Sequence, residues 1–413
     1  MLSAPPFSTF ALWRLAHPLW QCGFRSFFVA TLLAAPLAIA LWLAHWLLGL
    51  PLPATAGGPL AWHAHEMIVG FGLAAVAGFV LTGVPEFTHS AAVPARTVRR
   101  LLGLWLLGRV AFGVSGWGGH TSLAISGLAH LGLLVGLMGV LAPRLWRDPE
   151  RRHLAFLWGL GALTVCVSGF YVDALGGGNA LRWLHAAVGV LMVLIVVALS
   201  RISMRIVNNA LVEAGVLGVD YLARPPRRNL AICALGLCIA AELLGWSVRL
   251  QGWLALAAAA ALLNLLNDWH VGRALFRRWP FMLYGVYALM AAGYATTGVT
   301  LLAGAGGGSA GLHLLTVGAL GLSVYAVVCI AGATHSGHAP DEGAWVPLGA
   351  CMLVAAALVR ALAAWTQADG HLYLGVSGAL WSGAYALLAW HMLALLLGPR
   401  DDGASGCAGI QAV

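Results

Sequence analysis

From Phe27 to Leu50 the chain runs without a single charged side chain, and stretches of this kind recur along almost its whole length. A hydrocarbon core of ~30 Å needs about 20 apolar residues per helix, and inside it every backbone amide must be bonded within the segment. The sequence therefore reads as an all-α, polytopic transmembrane helix bundle forming one integral membrane domain over residues 1–413. Charge supports this reading: 9% of the 413 residues are charged, against roughly a quarter in ordinary soluble domains.

About twelve spans fit. They are expected near 27–48, 62–85, 98–116, 122–142, 154–173, 181–200, 229–250, 252–269, 281–302, 312–333, 346–366 and 372–397, with the polar stretch 201–228 as the longest cytoplasmic loop. The third is short, and the eighth is interrupted by Asn264, Asn267 and Asp268. Pro51, Pro53, Gly57, Gly58 and the glycine run 304–308 punctuate the connections. The N-terminal segment shows no short apolar region followed by a small-residue cleavage site, so the first apolar run is expected to stay as a span.

All 22 basic residues are arginine. The absence of lysine excludes a P-loop and any Schiff-base lysine. With the N-terminus inside, Arg182 and Arg249 fall outside, Arg109 and Arg360 fall within spans, and the other 18 arginines are cytoplasmic. The positive-inside rule then gives both termini inside. Arginines placed this way set topology, and no nucleic-acid partner is expected. Many of the 18 tryptophans sit near span ends, where interfacial anchors belong. The seven cysteines show no CxxC and no CxxCH; they read as small core residues without a disulfide framework, and any haem would be held without thioether bonds.

Histidine placement carries the chemistry. His63 and His65, His185 and His313 begin helices two, six and ten at one membrane depth. Imidazoles grouped in this way suit haem iron and copper. His65-Glu66-Met67-Ile68-Val69-Gly70 and His313-Leu314-Leu315-Thr316-Val317-Gly318 echo one another, which hints at a repeat of helical hairpins. Residues two apart on a helix point about 200° apart, so His63 and His65 would serve opposite sides, as the His-x-His pair of haem–copper oxidases does. Glu66, three residues after His63, is a candidate to orient an imidazole or relay a proton, and Glu242 is a second candidate carboxylate. Arg109 and Arg360 need partners; haem propionates or Glu242 would serve. At the cytoplasmic ends, His270 and the His335-Ser336-Gly337-His338 stretch are further metal candidates, for copper or as a solvated loop end.

Several of these residues form a familiar pattern. Gly23-Phe24-Arg25-Ser26-Phe27-Phe28, then Trp62-His63-Ala64-His65-Glu66-Met67 leading to Gly78-Phe79, Leu81-Thr82 and Val84-Pro85, resemble NnrS family membrane proteins. Trp105-Leu106-Leu107-Gly108-Arg109, Leu184-His185, Trp269-His270 and Leu312-His313 continue the resemblance in order. It implies a twelve-helix protein of the bacterial inner membrane holding haem and copper, tied to nitric oxide and nitrosative stress, often beside denitrification. With no CxxCH the haem would be b-type. Binding or redox processing of nitric oxide or iron-nitrosyl species is then the expected function, against a multi-pass transporter or a non-enzymatic sensor or metal-handling protein. The chain departs from the family pattern at Ile330, at Thr334 to His338, and at Arg205-Ile206-Val207-Asn208-Asn209.

Overall fold

The structure, a computed structural model, describes residues 14–404 apart from 217, 305–307 and 366–369, together with 406 and 407. The expected ends of the chain, the middle of the 304–308 glycine run and the end of the eleventh span at 366 lie outside the described residues. Among the described residues all regular structure is helical. We number the long helices α1 (Gly23–Leu48), α2 (Gly58–Phe87), α3 (Ala95–Gly113), α4 (Ser115–Arg147), α5 (Ala155–Gly176) and α6 (Leu181–Glu213). The second half contains α7 (Pro225–Leu243), α8 (Val248–Leu266), α9 (Arg278–Ala303), α10 (Ser309–Gly332), α11 (Trp345–Ala363) and α12 (Gly370–Leu397).

Ten of these helices are long and apolar enough to cross a membrane. The two others are α3 and α7, whose first two turns hold Arg96, Arg99 and Arg100, and Arg227 and Arg228. The eighth span, expected to be interrupted, qualifies because Asn267 and Asp268 fall in a 3-10 turn at its end. The 201–228 stretch is not all loop. α6 continues to Glu213, so the connection begins at Ala214.

Most consecutive helices pack on one another, and α12 closes the bundle against α1. Three helices occupy its middle: the most apolar stretches of α2, α6 and α10 are 83%, 72% and 78% buried, against 33% to 50% for the other seven candidate spans. These three carry His63 and His65, His185 and His313. They meet where a Cβ on Gly72 would lie 3.3 Å from Leu191 Cδ1 and 3.9 Å from Leu320 Cδ2. The outer helices turn apolar stripes away from the protein, such as Leu33, Leu37 and Leu41 on α1 and Trp158, Val165 and Val172 on α5. Such a surface is suited to lipid contact and is too large an apolar area for water.

Small residues bring the helices together, as expected where lipid removes the hydrophobic incentive to associate. At the α8–α9 crossing a Cβ on Gly298 would meet the Gly252 carbonyl oxygen at 2.8 Å. The α1 motif is explained in the same way: Gly78 of α2 accepts Phe27 and Phe28, and the Phe24 amide donates to Thr82 Oγ1 at 3.0 Å. Arg25, 1% exposed, donates to the Leu396 carbonyl at the end of α12, where a cation complements the helix dipole.

Gly298→Ala is expected to lower stability in detergent by about 1–3 kcal/mol through overpacking. Gly103→Ala, where a Cβ meets nothing within 4 Å, is expected to be neutral or slightly stabilising. Thermal unfolding of the two variants side by side checks this.

Candidate functional site

α2 and α10 share an irregularity directly after their histidines. Residues Glu66–Gly72 and Leu314–Leu320 are both π-helical, seven residues each, and begin immediately after His65 and His313. Thus the two echoing sequence stretches adopt the same local conformation. Such π turns recur at functional sites because the wider turn re-aims side chains and frees carbonyls. Within this turn the Gly70 carbonyl accepts from Trp105 Nε1 at 2.9 Å.

His63, His185, His313 and Arg360 line one cavity of about 400 Å³ between α1, α2, α6, α10, α11 and α12. His313 Nδ1–H donates to the Ser309 carbonyl at 2.7 Å, which leaves Nε2 as the lone-pair nitrogen. The His63 ring stacks on Trp42 at 4.3 Å, and its buried Nδ1 has no hydrogen-bond partner. His185 Nδ1 lies 3.5 Å from Glu242 Oε1, with both side chains partly exposed. Glu242 is therefore engaged with His185.

His65 faces elsewhere. It is fully buried on the other side of α2, stacked on Phe112 at 3.7 Å, and does not line that cavity. Glu66 turns to the same side: its carboxylate accepts from His65 Nδ1 at 3.2 Å and from Arg109 Nε at 2.7 Å, with a second bond from Arg109 Nη2. The expected pairing of Glu66 with His63 is thus not what the fold makes, because the π turn starting at Glu66 carries it round with His65. Nor does Arg109 pair with Glu242; Glu66 holds it. A Cβ on Gly70 would sit 3.3 Å from both Arg109 Nε and Glu66 Oε2, so the glycine makes room for this ion pair.

Behind His65 lies a polar network that sequence reasoning missed. Tyr171 Oη is 2.9 Å from His65 Nε2, 2.8 Å from His130 Nδ1 and 2.7 Å from Ser126 Oγ, and Ser126 Oγ is 2.7 Å from the Gly108 carbonyl oxygen. Ser126 and His130 stand four apart on α4, and Tyr171 comes from α5; only packing unites them. Gly108 allows the approach, since a Cβ there would lie 2.5 Å from His130 Nε2.

The hydrogens can be counted. If His65 carries both protons, Nδ1–H donates to Glu66 and Nε2–H to Tyr171. His130 Nδ1–H donates to the same phenol oxygen, Tyr171 O–H to Ser126, and Ser126 O–H to Gly108. Every contact then holds one hydrogen. With one proton fewer, Tyr171 turns its O–H to His65 Nε2, and Ser126 has one hydrogen for two oxygens, Tyr171 Oη and the Gly108 carbonyl, each 2.7 Å away. Only the first arrangement gives every contact of the network a hydrogen.

The arginine-rich end has its own cavity of about 390 Å³, lined in part by Glu86, Arg201, Arg205 and His335. His335 Nδ1–H donates to the Cys407 carbonyl at 2.6 Å, and Nε2 lies 3.3 Å from Glu86 Oε2. Cys22 and Cys407 are joined as a disulfide, and with His335 they form the one group among the described residues in which three potential metal-ligand atoms lie within 4.8 Å of one another. This corrects the reading of all seven cysteines as core residues. The pair is 385 residues apart in sequence and meets because α12 closes on α1. His270 is exposed and belongs to neither grouping, and His338 lies 3.5 Å from Asp401. Between the two cavities is a small apolar one of about 70 Å³, walled largely by α2, α6 and α10.

The family model described as NnrS protein matches residues 18–400. The chain belongs to the NnrS family. The matched stretch includes every residue of the histidine cavity and of the His65 network, while Cys407 lies beyond it. No curated protein matches the sequence.

Arg109→Ala strands the Glu66 carboxylate, and the expected loss is about 3–5 kcal/mol, the usual result of breaking a buried pair from one side. Arg152→Ala breaks the Arg152–Glu150 pair, whose side chains are 61% and 58% exposed, and the expected loss is below about 1 kcal/mol. Thermal unfolding of both variants measures the contrast; equal losses would contradict the assignment of Glu66–Arg109 as a buried pair.

Proposed function

We propose that this NnrS family protein is a haem- and copper-containing protein of the bacterial inner membrane, with about twelve spans and both termini cytoplasmic, that binds or redox-processes nitric oxide or an iron-nitrosyl species. Family membership fits a membrane protein of the nitric oxide response. The observation that carries the haem assignment is the convergence of His63, His185 and His313, together with Arg360, on one cavity. The cavity's size lies within the usual range for ligand sites. His313, with its Nδ1–H committed to Ser309, offers Nε2 as the ligand nitrogen, in the manner of metal-bound histidines. Arg360 is available in the same cavity for carboxylates, whereas Arg109 is committed to Glu66.

A b-type haem bound there supplies an iron centre for a small diatomic ligand. The protein's own part is separable. His63, His313 and His185 hold and orient, Glu242 braces His185, and Glu66 with Arg109, His65, Tyr171 and His130 forms a polar network on the far side of α2. Nitric oxide is small and apolar and reaches such a site from the bilayer without a polar channel. The same group without turnover would be a sensor, and steady-state consumption of nitric oxide separates the two.

A transporter is the second reading. It draws on the two cavities of similar size at opposite ends of α2, α6 and α10, separated by the apolar contact of Gly72, Leu191 and Leu320.

The test is the visible spectrum of the purified protein. A Soret band that shifts on adding nitric oxide is expected, with the haem extractable into acidified organic solvent because no CxxCH binds it. His63→Ala/His313→Ala is expected to lose the band and to sensitise cells to nitric oxide donors. Full haem and full protection in the folded double variant would overturn the site and move the transporter reading ahead.

A further inference from the structure

Copper, the second metal of the proposed function, needs donors beyond the imidazoles that a haem would occupy. At the opposite end of the bundle Cys22 Sγ, Cys407 Sγ and one ring nitrogen of His335 all lie within 4.8 Å of one another. Two thiolates and one imidazole are a soft, low-coordinate donor set of the kind that selects Cu(I). We propose that these three residues form a redox-gated site for Cu(I): the reduced dithiol takes the ion, and formation of the Cys22–Cys407 disulfide expels it.

The surroundings are arranged for a ligand histidine. Whichever nitrogen of His335 coordinates, the other keeps an acceptor, either the Cys407 carbonyl at Nδ1 or the Glu86 carboxylate at Nε2. That outer partner fixes the tautomer and orients the ring. Phe24 packs on the imidazole at 4.9 Å between centroids, and Cys22 is fully buried. Thr82 Oγ1 lies 3.4 Å from Cys22 Sγ and 3.6 Å from Cys407 Sγ, a hydroxyl able to donate to either thiolate.

Cys407 is held by more than the disulfide: its carbonyl accepts from His335 Nδ1 at 2.6 Å. The segment after α12 is tied down by polar contacts of its own. Arg400 Nη1 donates to the His335 carbonyl at 3.2 Å, and Asp402 Oδ1 accepts from Arg400 Nε at 2.9 Å and from the Ala404 amide at 3.1 Å. Arg400 holds the Asp402 carboxyl down to about 2, so this clasp is charged throughout the physiological range. Reduction therefore leaves two thiols and an imidazole facing one another.

The chemistry balances in both directions. Binding releases the two thiol protons and forms two Cu–S bonds and one Cu–N bond, with no electron transferred. Gating is thiol–disulfide exchange with an oxidised low-molecular-weight thiol: the two Cu–S bonds and the oxidant's S–S bond break, the Cys22–Cys407 bond forms, two electrons pass from the two thiolates to the oxidant, and two protons taken from solvent complete the two thiols released. Arginine placement puts this end in the cytosol, where thiols are kept reduced and a disulfide is transient and redox-sensing. The metal-binding form is then the resting one. The donor set carries this inference independently of the haem, which has its own optical readout.

The experiment uses the full chain in detergent. Protein reduced with a phosphine is titrated with Cu(I) against a chromogenic Cu(I) chelator, before and after oxidation with a disulfide reagent, and non-reducing peptide mapping follows the Cys22–Cys407 link. Reduced protein is expected to take one equivalent more than oxidised protein, a comparison that needs no variant. Folded Cys407→Ser is expected to lose that equivalent, and His335→Ala to bind it at least about tenfold more weakly. Cys351→Ser and Cys233→Ser, both exposed and far along the chain from the site, are expected to retain it. Equal Cu(I) uptake by reduced wild type and Cys407→Ser would overturn the proposal. So would a Cys22–Cys407 link that survives the reductant, which would make it a fixed staple.

Discussion

No water is available inside a bilayer to satisfy a polar group, and this governs nearly every choice the chain makes. Backbone amides are satisfied by helices. Buried side-chain charges must find partners inside the protein, and they do: Asp268, with its side chain 3% exposed, accepts from Arg227 at 2.6 Å and from the Arg224 amide at the start of α7 at 3.0 Å. Arg25 caps α12, and Glu66 is clasped by Arg109 and His65. Buried imidazole nitrogens of His63, His130 and His153 lack a partner, and of these three histidines His63 is the one that lines the cavity shared with His185 and His313.

The same constraint explains the glycines. Where polar networks and helix crossings must be tight, side chains are removed: Gly70 beside the Glu66–Arg109 pair, Gly108 against His130, Gly298 against Gly252. The protein thereby concentrates its polar chemistry in a few compartments. The histidine cavity lies at one end, the His65–Tyr171–His130 network beside it across α2, and the Cys22–His335–Cys407 group at the arginine-rich end. An apolar contact of three central helices separates the two ends, which suits a protein that keeps two chemistries apart.

Much of the fold was legible in the sequence because lipid enforces a simple rule. Apolar runs of bilayer length announce helices, and the placement of His63, His65, His185 and His313 on the second, sixth and tenth helices followed from counting. The opposite directions of His63 and His65 followed from helical geometry alone. The rest was illegible for physical reasons. The π turn after His65 depends on packing, and with it the partner of Glu66. Ser126, His130 and Tyr171 lie in ordinary apolar runs and become a network only where α4 meets α5. Cys22 and Cys407 carry no local spacing signal, since their meeting depends on how α12 closes on α1.

If α2, α6 and α10 hold a haem between them through His63, His185 and His313, with Arg360 alongside, a cryo-EM map of the protein purified with its native cofactors will show it. Planar haem density is expected in the histidine cavity, in contact with His63 or His313, with a carboxylate toward Arg360. Haem density at the arginine-rich end, or a fully haem-loaded protein whose histidine cavity is empty, would contradict it.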